Sequence, residues 1–519
     1  MPNSLGDFEA AVRLRSGQMQ DQQVVQRIWR KDHTVWKPDP KEISNRLGWL
    51  NVAETMAKYS AELNDFVSEI RDQGFCHAVL LGMGGSSLAP QVFADVFSAN
   101  QDQVAGLTVL DTTHPATIAH LDESLDFDKT LFIVASKSGG TIETLSHFSH
   151  YYDKAGRGDH FVAITDSGSA LESIGAEHKF RRVFLNPEDI GGRYAALSLF
   201  GLVPAALIGV DVEAVCEGAG HMGQACLEST HPLENPGAWL GTVIGEAALA
   251  GRDKLTLALP PRLASFGDWV EQLIAESTGK QGRGILPVVG EDLGPPEAYG
   301  SDRLFISVGE GSAMLDQLES AGHPVIRLSE DFALNSAESD LGAEYFRFEF
   351  AAAVAGYVLA INPFDQPNVA EAKLATAEIL EGGSLESTGF DDPGLLLDAI
   401  EPGDYVAIQA YLDRTPETTQ ILQSCRLAIR DRYRVATTTG FGPRFLHSTG
   451  QLHKGGPDSG VFLQLIDEAR SVDVPVPGYP FSFGRLIDAQ ALGDLRSLKS
   501  RGRRVVRTTL AALAEALQV

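Results

Sequence analysis

Residues 76–87 read CHAVLLGMGGSS and residues 130–141 read TLFIVASKSGGT. Each is a short apolar run that breaks into glycines and hydroxyls, the pattern of a buried strand turning into a helix. Strands that are apolar on both faces belong to parallel sheets covered by helices. In such sheets ligands gather at the carboxyl ends of the strands, where N–H groups at helix starts attract anions. Hydroxyls of Ser86, Ser136, Ser138 and Thr141 add short donors at those ends. GMGGSS carries Ser87 where the dinucleotide fingerprint has its third glycine, and SKSGGT has no GK[ST] ending, so NAD and nucleoside triphosphates are poor candidates. Hydroxyl-rich loops without a P-loop lysine suit a monophosphate.

Working outward, further strand-like runs occur at LTVLDT, HFVAITD and RVFLN, separated by helical stretches. This alternation predicts a doubly wound parallel sheet. KLTLALP, GILPVV, RLFISV and PVIRL alternate with the helical WVEQLIAES and EYFRFEFAAAVAGYVLAI and predict a second such sheet. VEAVCEGAGHMGQACLES and WLGTVIGEAALAGRD read as helices joining the two, with a boundary near residue 230. From Gly382 the chain turns loop-like (EGGSLESTGFDDPG), after which YVAIQAYLD, RVATTTGF, VFLQLID and RVVRTTL supply a third set of strands. The expected division is an N-terminal helical segment over 1–50, α/β domains over 51–230 and 231–385, and a C-terminal α/β unit over 400–519.

The chain has 519 residues, enough for about three to four domains, and 42 Lys plus Arg against 69 Asp plus Glu give a formal charge of −27. That balance argues against nucleic acid and against anionic membranes, so an anionic ligand must be caught by local donors. Four scattered cysteines, Cys76, Cys216, Cys226 and Cys425, form no CxxC pair and suit a reducing cytoplasm. No metal-ligand spacing is present, and the N-terminus lacks the apolar core of a signal peptide. The longest apolar stretch, YAALSLFGLVPAALIGV, contains Pro204 and reads as a core helix.

Two further motifs bear on chemistry. In the GGRY turn, Gly191 and Gly192 allow close backbone approach, and Arg193 offers a planar fork of donors for oxyanions, unless it pairs with Glu188 or Asp189. In EQLIAESTGK, residues 271–280, Gln272 and Glu276 stand at i and i+4 on one helix face, with Gly279 as the helix stop. An exposed carboxylate is the ordinary alternative for Glu276.

LLGMGGSSLAP, VASKSGGTIET, GGRYAALS and EQLIAESTGK together resemble the successive signatures of the phosphoglucose isomerase family, whose members interconvert glucose 6-phosphate and fructose 6-phosphate. INPFDQPNVAEAKLA is similar to the family's C-terminal signature, with Gln366 and Lys373 seven apart. The resemblance implies two sugar-isomerase (SIS) domains plus a C-terminal α/β extension. It also implies a phosphate site at Ser86, Ser136, Ser138 and Thr141, with Gly85, Lys137, Gln272 and Gln366 as further substrate contacts. Glu276 would move a proton between C1 and C2, Arg193 would stabilise the enediolate, and Lys373 would share the ring-opening proton transfer. No metal or cofactor is implied, and the expected partners are a phosphorylated hexose and, as a homodimer, a second copy. With WKPDPKEISNRLGWL and FLHSTGQLHKGGP included, the chain resembles the isomerase half of bacterial transaldolase and phosphoglucose isomerase fusions, with no transaldolase half expected ahead of it.

One feature departs from the family order, in which a ring-opening histidine lies between the base and the lysine. Between Glu276 and Lys373 the sequence has only His323, in SAGHPVIRL. The look-alike HSTGQLH comes later, so His447 is the candidate, with Lys454 an alternative occupant of that part of the pocket. Other readings are an isomerase of mannose 6-phosphate or of a 6-sulfo sugar, and a non-catalytic phosphosugar sensor. The spacing of Glu276, Gln366 and Lys373 favours chemistry over sensing, and no helix-turn-helix or basic face supports a DNA-binding regulator.

Overall fold

A computed structural model describes residues 5–97, 106–227, 231–309, 311–328, 337–382 and 389–519. Among the described residues thirteen strands form three parallel sheets with one winding pattern. The first contains β1 (His77–Gly82), β2 (Gly106–Leu110), β3 (Thr130–Ala135), β4 (Phe161–Asp166) and β5 (Arg182–Asn186), in the order β2-β1-β3-β4-β5. The second contains β6 (Lys254–Ala258), β7 (Leu286–Val288), β8 (Arg303–Val308) and β9 (Val325–Leu328), ordered β7-β6-β8-β9. The third contains β10 (Tyr405–Tyr411), β11 (Ala436–Phe441), β12 (Gly460–Ile466) and β13 (Arg504–Thr508), ordered β11-β10-β12-β13. Every strand-like run read from the sequence lies in one of these sheets.

The winding explains where the two glycine loops fall. In the first sheet the chain leaves β1 in both directions, so β1 and β3 flank the point where the strand order reverses. His77 pairs with Gly106 on one side and with Thr130 on the other. A crevice opens at the carboxyl ends of strands at such a point. GMGGSS follows β1 and SKSGGT follows β3, so the loops face one another across it. Every residue of β3 is buried, as expected of a central strand covered on both faces.

The helices Val212–Ala225 and Pro236–Leu249 pack against the long helix Ala337–Val358 and form the apolar heart of the molecule. All nine residues of the helix Leu199–Leu207, Pro204 included, are buried. The N-terminal segment braces the GGRY turn. Trp49 is fully buried and stacks on Tyr194 with ring centroids 5.3 Å apart, and the Gly48 N–H donates to the Asp189 carbonyl at 2.8 Å. Such an aromatic pair adds about 0.5–1.5 kcal/mol beyond the area it buries.

The third sheet is docked onto the first through its own helix Phe483–Ser500. Phe483, Leu486, Ala489, Leu492 and Leu495 share an apolar cluster with Val79, Phe132, Val134 and Tyr151 of the first domain. Burying a Leu or Phe side chain stabilises by about 1.5–3 kcal/mol, so this contact fixes the C-terminal unit firmly. The loop-like stretch expected from Gly382 lies partly outside the described residues. No helix among the described residues is long and apolar enough to cross a membrane.

Candidate active site

The carboxyl ends of β1 and β3, the GGRY turn and the helix Ala264–Thr278 converge on a cavity of about 650 Å³. Gly85, Ser86, Lys137, Ser138, Thr141, Arg193, Gln272, Glu276, Gln366, Lys373 and His447 all line it. Ser136 does not. It is 2% exposed and turned into its own loop, where its hydroxyl meets the Thr141 hydroxyl at 3.0 Å and accepts from the Gly139 N–H at 3.2 Å. It shapes the cradle and holds Thr141, rather than offering a donor to the cavity.

Two glycines let the parts meet. A Cβ on Gly85 would lie 2.1 Å from the Gly192 carbonyl oxygen, so the first cradle loop and the GGRY turn touch backbone to backbone. Gly84 has φ +54, and a Cβ there would crowd the Gln272 amide nitrogen at 2.8 Å and the His447 carbonyl at 2.9 Å. Lys137 pairs with Asp166 and donates to the Glu188 carbonyl at 3.0 Å, which sets its ammonium on the rim beside Ser138.

Glu276 is only 4% exposed, so the solvated-carboxylate alternative does not hold. Its helix is buried almost all round, and Gln272 and Glu276 are its polar stripe on the cavity side. Burial pushes the Glu276 carboxyl above its ordinary range, opposed chiefly by Arg193 and then by His447, Lys280 and Lys373. Arg193 Nη1 stands 3.5 Å from Glu276 Oε2, and not against Glu188 or Asp189. Its remaining nitrogens donate to Ser277 Oγ at 2.9 Å and to the carbonyls of Pro363 and Asp365 at 2.6 and 3.0 Å, which aims the fork. A buried pair of this kind adds little net stability, because desolvation offsets the attraction.

His447 comes from the C-terminal unit, at the end of a short 3₁₀ turn Arg444–His447. Gln272 Nε2 donates to its carbonyl at 2.7 Å, tying the histidine to the helix that carries Glu276. Its Nε2 lies 2.9 Å from Glu143 Oε1. With a carboxylate at that distance Nε2 carries a hydrogen, and the His447 side chain lines the cavity. Burial disfavours ionised Glu143, but the charge and hydrogen bond of His447, with Lys373 beyond, outweigh it and hold the carboxyl down to about 2. The competing candidates lie elsewhere. His323 is at the edge of the second domain against Tyr299 and Phe305. His453 is buried beside Tyr405 and Phe462. Lys454 is committed to Asp494 at 2.5 Å behind the site.

Sequence reasoning missed Glu143. It stands inside VASKSGGTIET, but a glutamate in a helix's first turn is ordinary, because the helix dipole favours one there. Lys280 was also passed over. Its ammonium donates to the Asp365 carbonyl and carboxylate at 2.6 and 2.7 Å, and burial, with Arg193 next, lowers it to about 7. Among the described residues no group of three or more His, Cys, Asp or Glu is placed to hold a metal ion.

Parallel sheets whose strand ends carry hydroxyl loops beside a buried acid and guanidinium define an α/β protein built of three parallel-sheet units. The Phosphoglucose isomerase family model matches residues 47–284. Over 395 residues the chain is 26% identical to the "Probable glucose-6-phosphate isomerase" of Methanococcus maripaludis, covering 67% of this chain and 87% of that relative. It is 28% identical over 384 residues to a glucose-6-phosphate isomerase of Desulfitobacterium hafniense, covering 64% of this chain and 72% of the relative. The fold is that of a hypothetical protein from Thermus thermophilus, with TM-score 0.63 and 23% identity over 72% of this chain and 98% of the other. Over residues 47–284 the chain is thus similar to the phosphoglucose isomerase family.

Proposed function

We propose that the chain interconverts glucose 6-phosphate and fructose 6-phosphate by ring opening and a cis-enediolate. The observation that carries this reading is one cavity shared by a hydroxyl cradle, Glu276, Arg193, Lys373 and His447, in a chain similar to this family over residues 47–284. Ser86, Ser138 and Thr141, with Lys137 on the rim, bind the phosphate, and that remote binding energy orients the opened sugar. His447 and Lys373 pass the ring-opening proton. The C1 hydroxyl loses its hydrogen, the bond from C1 to the ring oxygen breaks, and the ring oxygen is protonated.

Glu276 then takes the C2 proton. The electron pair forms the C1–C2 double bond, and charge moves onto the C1 oxygen. Arg193 stabilises that charge by an amount comparable to an oxyanion-hole donor, on the order of 3 kcal/mol. A proton passes from the C2 hydroxyl to the C1 oxygen, and return of the first proton from Glu276 to C1 as the C2 carbonyl forms gives the ketose, so the sequence of steps balances without a redox cofactor. Gln272 and Gln366 hold the sugar hydroxyls. A homodimer in the cytoplasm, divided at 1–50, 51–230, 231–385 and 400–519, belongs to the same proposal.

The test is conversion of fructose 6-phosphate to glucose 6-phosphate, followed with a coupled dehydrogenase, for wild type beside Glu276→Gln. Turnover is expected in wild type and a loss of about 10²–10⁴ in the variant, the range general acid–base catalysis supplies. Near wild-type turnover in Glu276→Gln would displace the base, and an inert wild type would displace the substrate.

A further inference from the structure

Behind Lys373 and His447 lies a second cavity of about 210 Å³, bordered by Glu143, Lys454 and Gln490. It gives the Glu143 side chain room to turn away from His447. Gln490 stands against that movement. It projects from the helix Phe483–Ser500, is 2% exposed, and lies outside the stretch matched by the family model. Its Nε2 donates to Glu143 Oε1 at 2.7 Å, the same oxygen that meets His447 Nε2 at 2.9 Å. Its Oε1 accepts the fully buried Thr113 hydroxyl at 2.8 Å. That contact fixes which way the amide faces, because a flipped amide would set two acceptors, Oε1 and the carboxylate, against each other. Lys454 does not compete for Glu143, being held by Asp494.

We propose that Gln490, oriented by Thr113, is a positioning residue for ring opening. It pins the Glu143 carboxylate so that His447 keeps its hydrogen on Nε2 and its lone pair on Nδ1. The C-terminal unit therefore supplies both the ring-opening histidine and part of the brace that sets its tautomer. The inference rests on the reaction proposed above.

The experiment compares Gln490→Leu, Thr113→Val and Thr113→Ser on two substrates, with His447→Ala as reference. One substrate is fructose 6-phosphate; the other is 5-deoxyfructose 6-phosphate, which lacks the hydroxyl that closes the furanose ring. For Gln490→Leu, kcat on the cyclising sugar is expected to fall about tenfold to a hundredfold, a part of what acid–base catalysis contributes, with KM little changed. The open-chain analogue should turn over at close to the wild-type rate. Thr113→Val should show the same split without touching Glu143, and Thr113→Ser should restore it. In ¹⁵N spectra of labelled imidazoles, the His447 signal should leave the pure Nε2–H form in Gln490→Leu and Thr113→Val. Equal losses on both sugars, no loss, or an unchanged His447 tautomer would overturn the role. A wild type inert toward both sugars would defeat the proposed reaction, and the imidazole signal would still decide the role of Gln490.

Discussion

Burial pushes the Glu276 carboxyl upward, while Arg193, His447, Lys280 and Lys373 pull it back toward the ionised form. A base must be ionised to accept a proton, so its competent fraction falls as pH drops through this raised value. The acid limb of kcat/KM is therefore expected above the ordinary glutamate range near 4.5, and a limb at or below that range would contradict the environment described. Glu143 has the opposite sign. Its folded-state value of about 2 lies below the 4.5 of an unperturbed glutamate, so the stabilisation it brings is complete above 4.5 and lost as pH falls from there toward 2. Urea midpoints taken down that window should fall more steeply for wild type than for Glu143→Gln, and parallel curves would count against the His447 contact.

Among elements, the joint between the first cradle loop and the GGRY turn has little slack. A methyl group at residue 85 would lie 2.1 Å from the Gly192 carbonyl, so Gly85→Ala must displace the turn that carries Arg193. Overpacking of this kind costs about 1–3 kcal/mol. Urea unfolding should register that loss, and kcat should drop with it because the guanidinium moves away from Glu276. An unchanged midpoint would mean that the turn can yield. The strands and the winding were legible in the sequence because they are local patterns, apolar runs punctuated by glycine and hydroxyl loops. TLFIVA announces a central strand by composition alone, and the reversal at β1 and β3 explains why two ordinary loops make one cradle. Ser136 shows the limit of that reading: spacing cannot tell a hydroxyl aimed at a ligand from one that ties down its own loop. Glu143 and Gln490 were illegible for a related reason, since their value lies in partners distant along the chain, and nothing beside them in sequence distinguishes them.

In the whole molecule, the third α/β unit is what completes the pocket. Its helix Phe483–Ser500 buries an apolar face against the first domain, and its turn Arg444–His447 carries the histidine to the helix of Glu276. His114 of the first domain adds to this joint, with its ring nitrogens 3.7 and 3.0 Å from Asp413 and Asp467 of the C-terminal unit. Because the histidine is reached within one chain, turnover per chain is expected to stay constant on dilution through any association that light scattering detects. Activity that falls as the measured mass falls would mean that a partner copy completes the site. The sequence by itself determined two parallel sheets and a third set of strands, the two glycine and hydroxyl loops and the carboxylate and arginine beside them, because each is written in a short run of neighbouring residues. Only the tertiary structure decided that His447, which the HSTGQLH stretch already offered, lines one cavity with Glu276, and what holds it there. That placement depends on a helix docking its apolar face on a distant sheet, and docking is settled by packing across domains rather than by any local pattern.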